Sequence, residues 1–270
     1  MQLDPVEFDY SKSAIIKPPF EQPKNLHDTK NKITRIVIDS RDRDTTLFPT
    51  PAQYEVMLQD DIDEVTSVEL CMAQVPLMAY NVSQYNNRVA VNGTQYVVPV
   101  GNYDGASLAT ALTSATGLTV TYNAIADNLT FTSTGAFTIN GTGTINKMLG
   151  FLTGRDYSTV GMTYAITAPY RVNLLDNRYV VLSIDQVTLN NSINPVIHRS
   201  FALLSPKMQD LNYIETQCKT IKYLNPPIAR LHKVRLTFRD YYGNLYDFQN
   251  HDHRIELVFE SRKHLLRYQQ

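Results

Sequence analysis

Tryptophan is absent from this chain of 270 residues, and cysteine nearly so, with only Cys71 and Cys218. Two cysteines exclude a small scaffold stapled by many disulfides. Both lie in apolar, strand-like surroundings, and the plain reading is two small buried hydrophobes. A Cys71–Cys218 bridge can be neither read from spacing nor dismissed by it. Also missing is any apolar run near the ~18 residues a membrane span needs. The first residues, Met1-Gln2-Leu3-Asp4-Pro5, carry neither a basic region nor an apolar one, so no signal peptide is expected. A net charge of −1 supplies no global attraction to nucleic acid or to an anionic membrane. No repeat recurs at a fixed period. The nucleophile elbow G-x-S-x-G, the P-loop and G-x-G-x-x-G in a strand-to-helix setting are all missing. Gly141-Thr142-Gly143 is only a turn ahead of a short helix.

What is present favours strands. Hydrophobic residues make up 43% of the chain, enough for a sizeable core, and 17 tyrosines suit a pleated, half-buried surface. The organising stretch is Ile33 to Leu58. An apolar run over Ile33–Ile38 meets the charged turn Asp39-Ser40-Arg41-Asp42-Arg43-Asp44, then Phe48-Pro49-Thr50-Pro51, then the alternating Tyr54, Val56 and Leu58. Asp60 to Glu64 reads as an acidic turn, and Val65 to Val75 as a further strand ended by Pro76. Val89 and Val91 run into Asn92-Gly93, a hairpin turn signal, and Tyr96 to Val98 run out. From Gly101 charge thins. Asp104 can cap a helix with Leu108, Ala111, Leu112 and Ala115 on one face and Gly117 as its stop. Short strands follow over Leu118–Tyr122 and Leu129–Thr132, and a third is expected at Phe137–Ile139. Thr144 is expected to cap a second short helix that Gly150 closes. Later strands include Tyr179–Ile184, Ser200–Leu204 and Tyr213–Tyr223, with Asn225-Pro226-Pro227 as a break. Val234, Leu236 and Phe238 then face inward, as do Ile255, Leu257 and Phe259.

Many short strands, frequent turns and two short helices predict an all-β fold, an antiparallel jelly-roll β-sandwich. The boundaries expected are an extended, proline-bearing N-terminal arm over 1–31, sandwich over 32–100 and 155–260, a small β-α-β-β-α inserted lobe over 101–154, and a basic C-terminal tail over 261–270. The arm's Phe8, Tyr10, Ile15, Ile16 and Phe20 are more apolar than an idle linker requires, so docking on a neighbour stands beside a free terminus.

Each chemical candidate has a bland rival. The turn Asp39 to Asp44 has alternating carboxylates, but Arg41 and Arg43 occupy positions where a Ca²⁺ loop needs oxygen ligands, and no glycine follows. An internally paired clamp, with arginine forks holding carboxylates and carbonyls, fits better. His251 and His253 share a face at i, i+2, but a metal centre needs a placed third ligand; a polar strand entry is the simpler reading. Lys233, Arg235 and Arg239, with Arg262, Lys263 and Arg267, could form a basic patch for nucleic acid or an acidic neighbour, against a default of solvated strand faces. Asn81, Asn92, Asn128, Asn140 and Asn190 begin N-x-S/T triplets, which an Asn- and Thr-rich chain produces by chance. No serine has a placed histidine and acid partner. No catalytic, cofactor or metal residue is assigned.

Ile38-Asp39-Ser40-Arg41-Asp42-Arg43-Asp44, followed by Phe48-Pro49-Thr50-Pro51-Ala52-Gln53-Tyr54, resembles structural proteins of the nucleocytoplasmic large DNA viruses, the group that includes the chloroviruses. The resemblance continues in Thr66-Ser67-Val68-Glu69-Leu70, Val75-Pro76 and Val98-Pro99-Val100-Gly101-Asn102-Tyr103. It closes with Asn225-Pro226-Pro227-Ile228-Ala229-Arg230-Leu231 and Tyr242-Gly243-Asn244-Leu245-Tyr246-Asp247-Phe248. The resemblance implies a virion component without enzymatic residues. It implies a single jelly-roll penton at the capsid vertex, assembling as a pentamer, or else a minor capsid (cement) protein. The partners implied are further copies of itself and the major and minor capsid subunits, with assembly in the host cytoplasm. Neither nucleic acid nor membrane insertion is expected. Two rivals stand beside this reading. One is an attachment module whose Tyr- and Asn-rich loops bind host glycans. The other is a jelly-roll enzyme, for which His251 and His253 are the only candidate metal ligands.

Overall fold

Two long strands, of 23 and 20 residues, organise the main sheet, and their length explains its shape. The computed structural model describes residues 29–175, 179–188, 190–205, 214–215 and 220–264. In chain order the strands are β1 (Thr29–Asp39), β2 (Gln53–Val75), β3 (Arg88–Val91), β4 (Thr94–Val97), β5 (Thr119–Asn123), β6 (Asn128–Thr132) and β7 (Thr138–Asn140). There follow β8 (Tyr157–Ser158), β9 (Ala165–Thr167), β10 (Val180–Ile184), β11 (Ala202–Leu204), β12 (Ile214–Glu215), β13 (Thr220–Arg239) and β14 (Arg254–His264). Two helices, α1 (Gly105–Thr116) and α2 (Asn146–Leu149), and a single 3-10 turn at Ser40–Asp42 complete the described elements.

The main sheet runs β1-β14-β2-β13-β10-β11, with β12 also on β2, and all its pairings are antiparallel. Straight, the 23 residues of β2 would span roughly 75 Å at about 3.3 Å each. Yet Arg254 pairs with Gln74 near its end, while the preceding residue, His253, hydrogen-bonds Tyr54 near its start. The strand therefore folds back over itself, and the sheet rolls into two layers around one core. Bulges supply the bend. Opposite β14, Thr66 and Cys71 are skipped by the register, and Glu64 sits at φ 49°. The burial alternation slips accordingly: Val68 and Leu70 point inward on one side of Cys71, Ala73 and Val75 on the other.

This rolled antiparallel sheet is the all-β, jelly-roll class expected from the sequence. Its core holds Ile38, Tyr54, Val68, Leu70, Leu182, Phe201, Leu236, Phe238, Phe248, Leu257 and Phe259, all essentially inaccessible. Val234, Leu236 and Phe238 face inward, as the sequence alternation requires.

Several expected boundaries move. Asp60 to Glu64 is no turn: it lies inside β2, where Asp63 accepts from Arg230 at 2.9 Å. Asn225-Pro226-Pro227 does not end a strand. The register with β2 jumps from Tyr223 to Ile228, so the prolines, lacking an N–H to donate, bulge out of a ladder that then resumes. The basic tail begins as strand, since β14 continues to His264 and pairs with β1 back to Thr29. Residues 1–28 of the expected arm, residues 265–270 and Cys218 lie outside the described residues. Cys71 is a free, half-buried thiol.

A second core gathers residues from Val82 to Leu174, beyond the 101–154 segment marked in the sequence. The β3–β4 hairpin, expected in the sandwich, packs here: Val91 pairs with Ile139, and Val89 and Val91 share one buried cluster with Leu108 and Leu112 of α1. Helix α1 follows its sequence signals. Asp104 accepts from Ser107 N–H, the Ser107 hydroxyl reaches back to the Asp104 N–H, and Gly117 closes the helix at φ 73°. Helix α2 is shorter than expected and begins without a side-chain cap; Thr144 Oγ1 instead accepts from Arg88 N–H across the hairpin. Gly150 ends it at φ 86°, and a β-carbon there would strike the Tyr170 carbonyl.

Candidate functional site

The charged turn after β1 is a corner clamp. Asp39 caps the 3-10 turn by accepting from Arg41 N–H at 3.0 Å, and its two oxygens take the Arg41 guanidinium at 2.8 and 2.6 Å. That guanidinium holds the Asp39 carboxyl down to about 2. Arg43 works inward. Its side chain is 7% exposed, and it donates to the carbonyls of Ser40 (2.6 Å) and Phe48 (3.2 Å) and to Asp252 (3.2 Å). Ser40, fully buried, donates to Asp252 Oδ1 at 2.7 Å and accepts from His253 N–H at 3.0 Å, while its own N–H donates to the His253 carbonyl. The corner thus ties the end of β1 to the approach of β14, more than 200 residues away in sequence. This is the paired turn anticipated from Arg41 and Arg43.

His253 sits behind the clamp, 3% exposed. Its Nε2 lies 3.0 Å from the Tyr54 hydroxyl, and its ring packs against Phe238 and Phe248 at centroid distances of 4.4 and 4.7 Å. Nδ1 makes no hydrogen bond among the described residues. Burial holds the imidazole down to about 4, against an opposing pull from Asp252. The Tyr54 hydroxyl is raised, again chiefly by burial. His251 points elsewhere: it is exposed, with Nδ1 against the carbonyls of Phe248 and Gln249. The i, i+2 pair therefore does not converge. No group of three or more His, Cys, Asp or Glu is placed to hold a metal among the described residues.

The basic residues disperse too. Lys233 pairs with Glu55 at 3.1 Å, and Arg239 donates to the Gly243 carbonyl at 2.7 Å in its own turn. Arg262 lies at the opposite end of the sheet, level with Asn31, and Arg267 is outside the described residues.

Sequence reasoning missed the groove beside the corner. A cavity of about 420 Å³ opens between the turn Pro49–Ala52, the Tyr80–Tyr85 segment and the 245–250 loop. Its floor is Tyr246 and Phe248, both buried, with the Tyr246 hydroxyl pushed up to about 12 by burial. Tyr80 and Tyr85 stand at its lip, 39% and 54% exposed. Among the described residues its charged lining is Asp240 and Asp247, with no lysine or arginine. The proline and tyrosine content of these segments was visible in sequence, but their convergence depends on the roll of the sheet.

Two comparisons with known proteins return a match. A family model described as a family of unknown function (DUF5901) covers residues 26–99, which include β1, the corner clamp and β2. No curated protein matches. The crystal structure of the mavirus penton protein is similar over 86% of this chain and 99% of that one, at 12% identity and a TM-score of 0.44. No helix among the described residues is long and apolar enough to cross a membrane.

Proposed function

We propose that this chain is a structural subunit of an icosahedral virion, the penton at the capsid vertex, assembling as a ring of five in the host cytoplasm. The observation that carries the reading is the open edge of the rolled sheet. β1 is a terminal strand of 11 residues, paired only with β14 among the described residues, and it exposes Ile33 (72%) and Val37 (48%). A long, unbulged edge strand with exposed apolar side chains is a template for association, and Lys32 and Arg35, exposed on the same strand, add a positive charge that an acidic neighbour can meet. The far edge among the described residues, β11, is three residues long, Ala202-Leu203-Leu204, without charge. Two unlike edges suit a heterologous, head-to-tail contact, which closes into a ring when the rotation allows. The motif resemblance around Asp39–Asp44 and Phe48–Tyr54 supports the same reading.

Mass photometry and negative-stain microscopy of the purified full chain test it, with fivefold rings as the expected result. A strict monomer at high micromolar concentration would sink the penton reading. A monomer that binds assembled major capsid subunits would make the chain a minor capsid (cement) protein.

A further inference from the structure

We infer that the groove beside the corner is the acceptor for the proline-aromatic segment Lys17-Pro18-Pro19-Phe20-Glu21-Gln22-Pro23-Lys24 of a second copy of this chain. The inference rests on the reading of the chain as a self-assembling subunit and names where one copy grips the next.

Chemistry selects the segment. The groove presents tyrosine faces over an apolar floor, the surface on which proline-rich chains dock, because a polyproline helix is extended beforehand and loses little entropy on binding. The volume suits a few side chains and not a packed element. Its charges are Asp240 and Asp247, and the segment is bracketed by Lys17 and Lys24. Asp240 is buried and held within its own turn by the Tyr242 and Asn244 N–H groups and the Asn244 amide, so Asp247, exposed and fixed by the Gln249 N–H, is the carboxylate open to a lysine.

Reach selects the second copy. The chain enters the sheet at Thr29, opposite His264, whereas the groove lies past the other end of β1, beyond Asp39. That strand covers about 33 Å at ~3.3 Å per residue. Lys24 precedes Thr29 by five residues and so reaches at most about 17 Å back. Phe20, nine residues ahead, reaches about 30 Å only when fully taut. Seated whole, with Lys24 in the groove, the segment cannot belong to the same copy, but it can enter the groove of a neighbour set against the Thr29 end. One such contact per copy, repeated head to tail, has the symmetry a ring requires.

The test uses the full chain with Phe20 replaced by the photo-crosslinker p-benzoyl-phenylalanine, mixed with ¹⁵N-labelled full chain without it. Irradiation is expected to join residue 20 to residues 79–85 or 245–250, in peptides that pair a light chain with a heavy one. Phe20→Ala and Tyr80→Ala, read by sedimentation velocity, are each expected to weaken association about tenfold or more, as loss of an aromatic anchor does. Crosslinks that map elsewhere, or only within one copy, overturn the inference. Oligomers that persist unweakened in Phe20→Ala overturn it while leaving the subunit reading intact, whereas a wild-type chain that never associates defeats both. An oligosaccharide that binds wild type but not Tyr80→Ala, with residue 20 crosslinked elsewhere, assigns the groove to sugar and overturns the inference.

Discussion

The two cores of this protein are stabilised in opposite ways. The rolled sheet is a long-range object. β1 is matched to β14 over residues more than 200 positions apart, and its corner and faces carry the ion pairs Arg43–Asp252, Arg35–Glu256, Lys233–Glu55 and Arg230–Asp63. The second core is more local. Its strand pairings span no more than about 50 residues, and its polar contacts are mostly Asn, Ser and Thr side chains on backbone within that range. Asn81 bridges Tyr103, Asn92 accepts from Thr138 N–H, Asn123 caps its turn, and Asn146 donates to the Asn140 carbonyl. The contrast teaches that ion pairs are used here where distant segments must find one register, and side-chain capping of the backbone, by Asn, Ser, Thr and the Asp104 carboxylate, where the chain only has to turn.

The strongest way to break this comparison is Phe238→Ala. Phe238 is fully buried and stacks on Phe248 and His253, so the cavity is expected to cost about 3–5 kcal/mol, all of it in the rolled sheet. Hydrogen exchange should speed in β10, β13 and β14 while amides of α1, β5 and β6 keep their protection. Equal acceleration in both would show one cooperative unit.

Acid is the next lever, and it acts through His253. Its folded value of about 4 lies below the ordinary 6.5, so the unfolded chain binds the extra proton first. The stabilisation is complete above pH 6.5 and is lost as pH falls to 4, an effect of about 3 kcal/mol. Asp39 follows lower down, its contribution fading from about pH 3.8 towards 2. Urea midpoints from pH 7 to 4 should therefore slope downward for wild type. In His253→Gln, less stable at pH 7, that slope should flatten; an unchanged slope would remove His253 as its source.

Within the clamp the two arginines should separate. Arg43→Ala leaves two carbonyls and Asp252 short of a buried donor and is expected to cost about 2–3 kcal/mol by thermal or urea unfolding. In the second core, Gly150→Ala forces a side chain into a left-handed position against the Tyr170 carbonyl. It should lose somewhat more than about 1 kcal/mol, and only in amides of residues 82–174. Arg41→Ala is the smallest change: the side chain is solvent-exposed, and the melting temperature should stay close to wild type at neutral pH.

Sequence legibility divides along the same line. Where determinants are local it was high: the Asp104 cap, the Gly117 stop, the Asn92-Gly93 turn and the inward Val234, Leu236 and Phe238 are all as the spacing requires. It failed where one residue's setting depends on a distant partner. Asp60 to Glu64 has turn composition, yet the ladder with β13 carries it through as strand. Asn225-Pro226-Pro227 has the composition of a strand end, yet the pairing closes again beyond it. His251 and His253 share a face only on a straight strand; the backbone before β14 instead delivers one to the core and one to solvent. The groove was invisible for the same reason, since its walls come from three separated segments.

β2 has a mechanical consequence. One covalent strand, β2, serves both layers and joins them without a loop along its length. Tension applied along β2 would be shared by the ladders on its two sides, loading their hydrogen bonds together in shear instead of one at a time. Copies joined edge to edge would resist stretching within each copy and yield first at the seams between them.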